Sequence, residues 1–181
     1  MSQDICITVP APQQQAFSAS LNTQVLHFKV IPSADAPWIT QIQDKHGDYQ
    51  ALNSLSLSFA PSADLTALNA EQKVVLIADL VSPADEGAAP ALIWKFYQQG
   101  LRFARAYDKQ KVHIETRLEN EDTRLVMEIS KVETAPAETL ELAFSYTGMY
   151  YHNLTPSEPK VCYSQDPRVK VGRPVPPNIN N

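Results

Sequence analysis

The chain has 181 residues, of which 44% are hydrophobic and 19% charged, which fits one packed domain and excludes a disordered polymer. Its net charge of −5 leaves no Lys/Arg stripe for neutralising phosphates, so nucleic acid is not an expected partner. The longest apolar runs, such as Val74–Ala78, fall well below the roughly 20 residues of a membrane helix. No membrane partner is expected either.

Met1-Ser2-Gln3-Asp4 lacks the cationic start and apolar stretch of a secretion signal, so the cytoplasm is the expected location. Short runs rich in Val, Ile, Leu, Tyr and Phe recur between turn residues, with 14 prolines against 5 glycines. This predicts an all-β fold, a single antiparallel β-sandwich or squat β-barrel of about eight to ten strands. Ile5–Val9 is the first predicted strand, closed by Pro10. Gln24–Ile31 is the second, and Trp38–Gln43 the third, ending at the turn Lys45-His46-Gly47-Asp48. In Leu55–Phe59 the apolar residues Leu55, Leu57 and Phe59 alternate with serines, the period of a strand buried on one face.

Ala63–Gln72, with Ser62 as a possible cap, reads as a short helical turn or a surface connection. Lys73–Val81 suits the centre of a sheet, and Ser82–Pro90 is a loop. Leu92–Tyr107 is ambiguous. As a helix it would be interrupted by Gly100, so a hairpin turning at Gln98-Gln99-Gly100 is the preferred reading. Val112–Leu118 and Leu125–Val132 form the clearest hairpin, with Asn120-Glu121-Asp122 supplying the turn and Ile114 and Ile129 directed to the core. Thr139–Met149 is the penultimate strand, followed by a polar loop from Asn153 to Pro159 and a strand around Cys162.

The chemistry-bearing residues are few. Cys6 and Cys162, near opposite ends of the chain, read as reduced, buried thiols, close together only if their strands pair. His27, His46, His113 and His152 lack metal-ligand spacing, so neither a metal nor a cofactor is expected. Glycine spacing rules out a phosphate-cradling loop, and no nucleophile elbow is present. The aromatic groups Trp94-Phe96-Tyr97 and Tyr146-Tyr150-Tyr151 read as core packing in preference to a stacking platform. Asp35 lies between Pro32 and Pro37 and beside Trp38, which could desolvate it and raise its pKa.

The tail carries the most distinctive motif. Lys160–Tyr163 runs into Ser164-Gln165-Asp166-Pro167, then a second extended segment, Arg168-Val169-Lys170-Val171. Pro167 removes a ladder donor and drives Asp166 into extended geometry. The domain is expected to span residues 1–171, and residues 172–181, with Pro174, Pro176 and Pro177, to form a disordered tail.

Ser164-x-Asp166-Pro167-x-Val169 resembles the closing motif of the bacterial DP-EP family of small all-β proteins. The order of the first strands is also similar. The resemblance implies a compact β-barrel or sandwich with aspartic-type self-cleavage just past the Asp-Pro pair. That would make Asp166 one catalytic acid and the Arg168–Val169 bond the site of cutting. The resemblance does not place a second acid, and Asp35 is the candidate for it. The inclusion-body proteins of the PixA/AidA type are a second family with a strand-terminal Asp-Pro. Two functions follow as expectations: a non-enzymatic protein that binds or self-associates through an edge strand, and a peptidase that processes its own tail.

Overall fold

The computed structural model describes residues 3–9, 23–59, 72–82, 92–134, 138–152, 158–165 and 168–173; for Gln3 and Arg168 it describes the backbone alone. All regular structure in these residues is strand: β1 (Gln3–Val9), β2 (Thr23–Ile31), β3 (Ile39–Gln43), β4 (Tyr49–Phe59), β5 (Lys73–Leu80), β6 (Leu92–Phe103), β7 (His113–Glu119), β8 (Arg124–Ser130), β9 (Thr139–His152), β10 (Lys160–Tyr163) and β11 (Arg168–Gly172). The all-β expectation holds, in the form of one sheet curled into a nearly closed barrel. The strands number eleven, one more than expected.

The sheet runs β10-β9-β11-β4-β3-β2-β5-β8-β7, with β1 also on β4 and β6 also on β9. The expectation of an antiparallel sheet is corrected here. The pairs β1–β4, β11–β4 and β2–β5 are parallel, so the sheet is mixed. The two longest strands turn the corners. β4 pairs with β3 through its first residues and with β1 and β11 through its later ones, while β9 passes from β11 to β10 along one edge. The barrel closes where the β7–β8 tip meets β5 and β6. Leu80 N–H donates to Thr123 O (2.8 Å) and Phe96 N–H to Asp122 O (2.7 Å).

Alternation in the sequence explains the core. Leu26, Phe28 and Val30 of β2, Leu55, Leu57 and Phe59 of β4, and Val74, Leu76 and Ala78 of β5 all point inward. Side chains fill the bore. The void among Phe28, Met127, Phe144 and Tyr146 is only about 20 Å³, room for roughly one water.

The predicted β7–β8 hairpin forms, with Ile114 opposite Ile129. Its tip is unusual, because Asn120, Glu121 and Asp122 all have positive φ (51°, 55° and 67°). L-residues enter that region at a cost, and its short polar side chains make Asn and Asp the better tolerated types. The hairpin expected within Leu92–Tyr107 is overturned, and so is the helix. Leu92–Phe103 is a single strand along β9, broken by a wide bulge. Phe96 faces Gly148 and Leu101 faces Tyr146, so residues 97–100 stand opposite Thr147 alone. Gln98 (φ 56°) and Gly100 (φ 78°) take left-handed conformations that bend the strand without reversing it.

At the other end, β10 and β11 follow one another along the same edge of β9. Tyr163 faces Thr147 and Arg168 faces Ala143. Between them, Ser164 continues the ladder to Tyr146. The break expected at Asp166-Pro167 lies outside the described residues. The chain also packs beyond the expected boundary at 171. Gly172 completes β11, and buried Arg173 donates from Nε (3.0 Å) and Nη2 (2.7 Å) to Val132 O. The helical connection at Ala63–Glu71, most of the loop at Ser82–Pro90, Asn153–Ser157 and the tail 174–181 lie outside the described residues.

Candidate functional site

Of the residues singled out at the tail, Ser164 meets Asp35 on one surface. The loop between β2 and β3 is shaped by Ser33, whose Oγ accepts the N–H groups of Asp35 (3.3 Å) and Ala36 (3.0 Å). Trp38 Nε1–H donates to Ser33 O (3.0 Å), closing the loop on itself. The Trp38 ring lies on Gly148 of β9, where a Cβ would come within 2.6 Å of Cη2. It also packs edge-on to Trp94 at 5.7 Å, and Trp94 stacks on Tyr150 at 4.7 Å. This buried aromatic group fixes the loop against β9. The core reading of Trp94, Phe96 and Tyr146 is the one the structure supports.

Cys162 of β10 faces the same Gly148. An open cleft of about 430 Å³ therefore lies between residues 33–38 and residues 162–165, bringing Asp35 and Ser164 to one place. Sequence separation hid this neighbourhood, since the segments lie far apart in the chain. Asp166 and Pro167 are outside the described residues, and the Arg168 side chain with them.

The chemistry of the cleft is mild. Asp35 is exposed, so the expected desolvation by Trp38 does not occur; the ring is turned inward, away from solvent. The Ser164 hydroxyl is engaged by the backbone, accepting Tyr146 N–H (2.7 Å) and donating to Gln165 O (2.8 Å). It stitches β10 to β9, continuing the ladder with Ser164 N–H on Tyr146 O (2.9 Å). Partial burial first, then the negative charge of Asp35, push the Cys162 thiol up, with Lys160 opposing them. A raised thiol pKa leaves little thiolate, the opposite of an activated nucleophile. Cys6 is exposed on β1, which pairs with β4, so the two thiols do not sit on partnered strands and both are free.

The segment after the Asp-Pro pair is enclosed between two strands. Arg168 and Val169 are laddered to Ser54 and Leu55 of β4 on one side and to Ala143 and Leu142 of β9 on the other. Val169 is buried and Val171 wholly so. Both residues flanking the Arg168–Val169 bond are thus paired on two sides.

β10 differs. It pairs with β9 alone among the described residues, and both Val161 (40% exposed) and Tyr163 (56%) face solvent. These are two of only five large hydrophobic side chains so exposed among the described residues, and they share a four-residue strand. Tyr163 also forms the wall between the Asp35 cleft and a second one over the bulge of β6, lined by Gln98, Gln99, Arg102 and Thr147. Gln98 and Gln99 are expected at a turn; Gly100 beside them is a signal that a bulge shares with a turn. Among the described residues no three His, Cys, Asp or Glu side chains gather as a metal site, and no helix is long and apolar enough to cross a membrane. Comparison with protein-family models, with curated proteins and with solved structures returns no match.

Proposed function

We propose that this protein works by binding, through self-association at the outer edge of β10. The observation that carries the reading is the pairing of an open edge with two exposed apolar side chains, Val161 and Tyr163. An unpaired strand edge presents N–H and C=O groups to a second strand, and side chains on one face supply the apolar contact. The edge is short and begins at Lys160, features that limit such pairing. Association is therefore weak and concentration-dependent, which suits a reversible assembly. A reducing compartment such as the cytoplasm suits the two free cysteines.

Sedimentation velocity over a wide concentration range tests this. Wild type should shift toward dimer as concentration rises, and Val161→Lys with Tyr163→Lys should remain monomeric with an unchanged circular dichroism spectrum. A wild type that stays monomeric throughout overturns the reading.

A second reading, self-processing in the manner implied by the DP-EP resemblance, is favoured by one observation. The Asp35 loop and Gln165, the residue before Asp166, line a common cleft. Two features weigh against it: the exposure of Asp35 and the double laddering of Arg168–Val169. Val169–Gly172, at the start of the thirteen residues released, would moreover stay paired in β11 after a cut, so native methods would miss it. Denaturing intact-mass measurement decides. Loss of those residues, abolished by Asp166→Ala and by Asp35→Ala, supports a dyad, and an unchanged mass after prolonged incubation at mildly acidic pH removes the reading.

A further inference from the structure

The bulge in β6 opens a groove whose wall on the β10 side is Tyr163. The cleft over Gln98, Gln99 and Arg102, about 530 Å³, shares Gln99 and Phe103 with another of about 460 Å³ that runs toward Arg105, Lys109 and Thr116. The two lie on either side of Phe103, forming a trough across the strand. Arg102, Arg105 and Lys109 are exposed, and no acidic side chain lines either cleft. The acid nearest in sequence, Asp108, turns to its own loop and accepts Gln110 N–H (2.9 Å).

Elsewhere on the surface some cations are paired, while scattered ones such as Lys45 and Lys95 hold no carboxylate among the described residues; the trough differs in gathering three. Lys73, Lys111, Arg117 and Arg124 each hold a carboxylate, of Glu128, Glu138, Glu119 and Asp79 respectively. Among the described residues, Arg102, Arg105 and Lys109 hold none. Three free cations in one trough, on a chain of net charge −5, are a local reversal of its overall sign.

We propose that this trough binds an acidic peptide segment in extended form. Arginine guanidinium groups match carboxylates in fork geometry, and the tandem clefts call for a ligand with carboxylates on both sides of the Phe103 ridge. Gln98, Gln99, Thr116 and Thr147 supply the amide and hydroxyl groups that a peptide backbone needs. A nucleic acid is the poorer fit. Three cations neutralise few phosphates, and the net negative charge opposes a long polyanion. The trough shares Tyr163 with the β10 edge, but the three cations that carry this proposal take no part in that edge.

Fluorescence anisotropy with a labelled peptide of alternating Glu and Gly tests it, against a Lys/Gly peptide and a labelled oligothymidylate of similar length. Wild type should bind the acidic peptide at low salt and release it as salt rises. The triple variant Arg102→Gln/Arg105→Gln/Lys109→Gln should weaken binding by about tenfold or more, while Lys45→Glu, at the exposed β3–β4 turn, should change it by less than about twofold. All three residues are exposed, so the triple variant should keep the wild-type melting profile. No binding of the acidic peptide, equal binding of the Lys/Gly peptide, or an equal loss in Lys45→Glu overturns the proposal. Tighter binding of oligothymidylate also overturns it and reassigns the trough to nucleic acid.

Discussion

β10 and β11 are consecutive strands on the same edge of β9, yet they have opposite characters. β11 is enclosed by β4 and β9 and buries Val169 and Val171, whereas β10 has β9 alone among the described residues and exposes Val161 and Tyr163. The difference lies in what stands across from each. Where β9 runs beside β4, the last strand drops into a ready slot; where β9 extends past it, the strand is left as an edge. The same alternating sequence therefore makes a core element in one place and an interaction surface in the next.

The sharpest way to break this contrast is to cut matched valines. Val171→Ala should cost roughly 1.5–3 kcal/mol, from two lost methyl groups and the void they leave, while Val161→Ala should change stability by less than about 0.5 kcal/mol. Urea denaturation measures both, and equal losses would mean that β10 is as enclosed as β11. Arg173→Ala comes next. It removes both donors to Val132 O and should cost about 1–3 kcal/mol, showing that the fold reaches past β11.

Gly100→Ala sharpens a different point, the bulge of β6. At φ 78° an added Cβ is strained, and it would stand 2.8 Å from Leu118 Cδ2. A loss of about 1–2 kcal/mol in thermal unfolding is expected. Smallest is a pH effect at the β3–β4 turn, far from either strand. The N–H groups of His46 and Asp48 and the Gln50 amide hold the Asp44 carboxyl below its ordinary range, His46 contributing most. Because the folded pKa is lowered, this contribution is present above the unfolded carboxylate pKa and is lost as pH falls through the folded value. Asp44→Asn should slightly flatten the acid limb of the stability profile and leave the neutral region nearly unchanged, as stability against pH would record.

Most of the barrel was legible because alternation is a local signal. Leu55, Leu57 and Phe59 between serines, and the Asn120-Glu121-Asp122 tip between apolar runs, state their geometry within a few residues. What escaped was set by partners distant in sequence. The parallel pairing of β1 and β11 with β4 depends on strands more than forty residues away, and no local pattern marks it. Leu92–Phe103 misled for a related reason. Gln98 and Gly100 carry turn-like backbone angles, and only the fixed line of β9 beside them makes the result a bulge instead of a reversal. Asp35 was singled out for its proximity to Trp38 in sequence, but the indole turns to Gly148 and leaves the carboxylate in solvent. That Asp35 would meet Cys162 and Ser164 was not legible at all, because the meeting is made by two separate strands converging on β9.

Hydrogen exchange followed as a function of protein concentration tests the central claim most directly, since it reads β10 and β11 in one experiment. At low concentration the amides of Arg168–Gly172 should exchange near the rate of global unfolding, and those of Lys160–Tyr163 much faster. Raising the concentration should slow exchange in Lys160–Tyr163 and leave Arg168–Gly172 unchanged, as expected if a second copy covers the open edge. Exchange in Lys160–Tyr163 that is slow at every concentration, or that does not respond to it, would contradict the account.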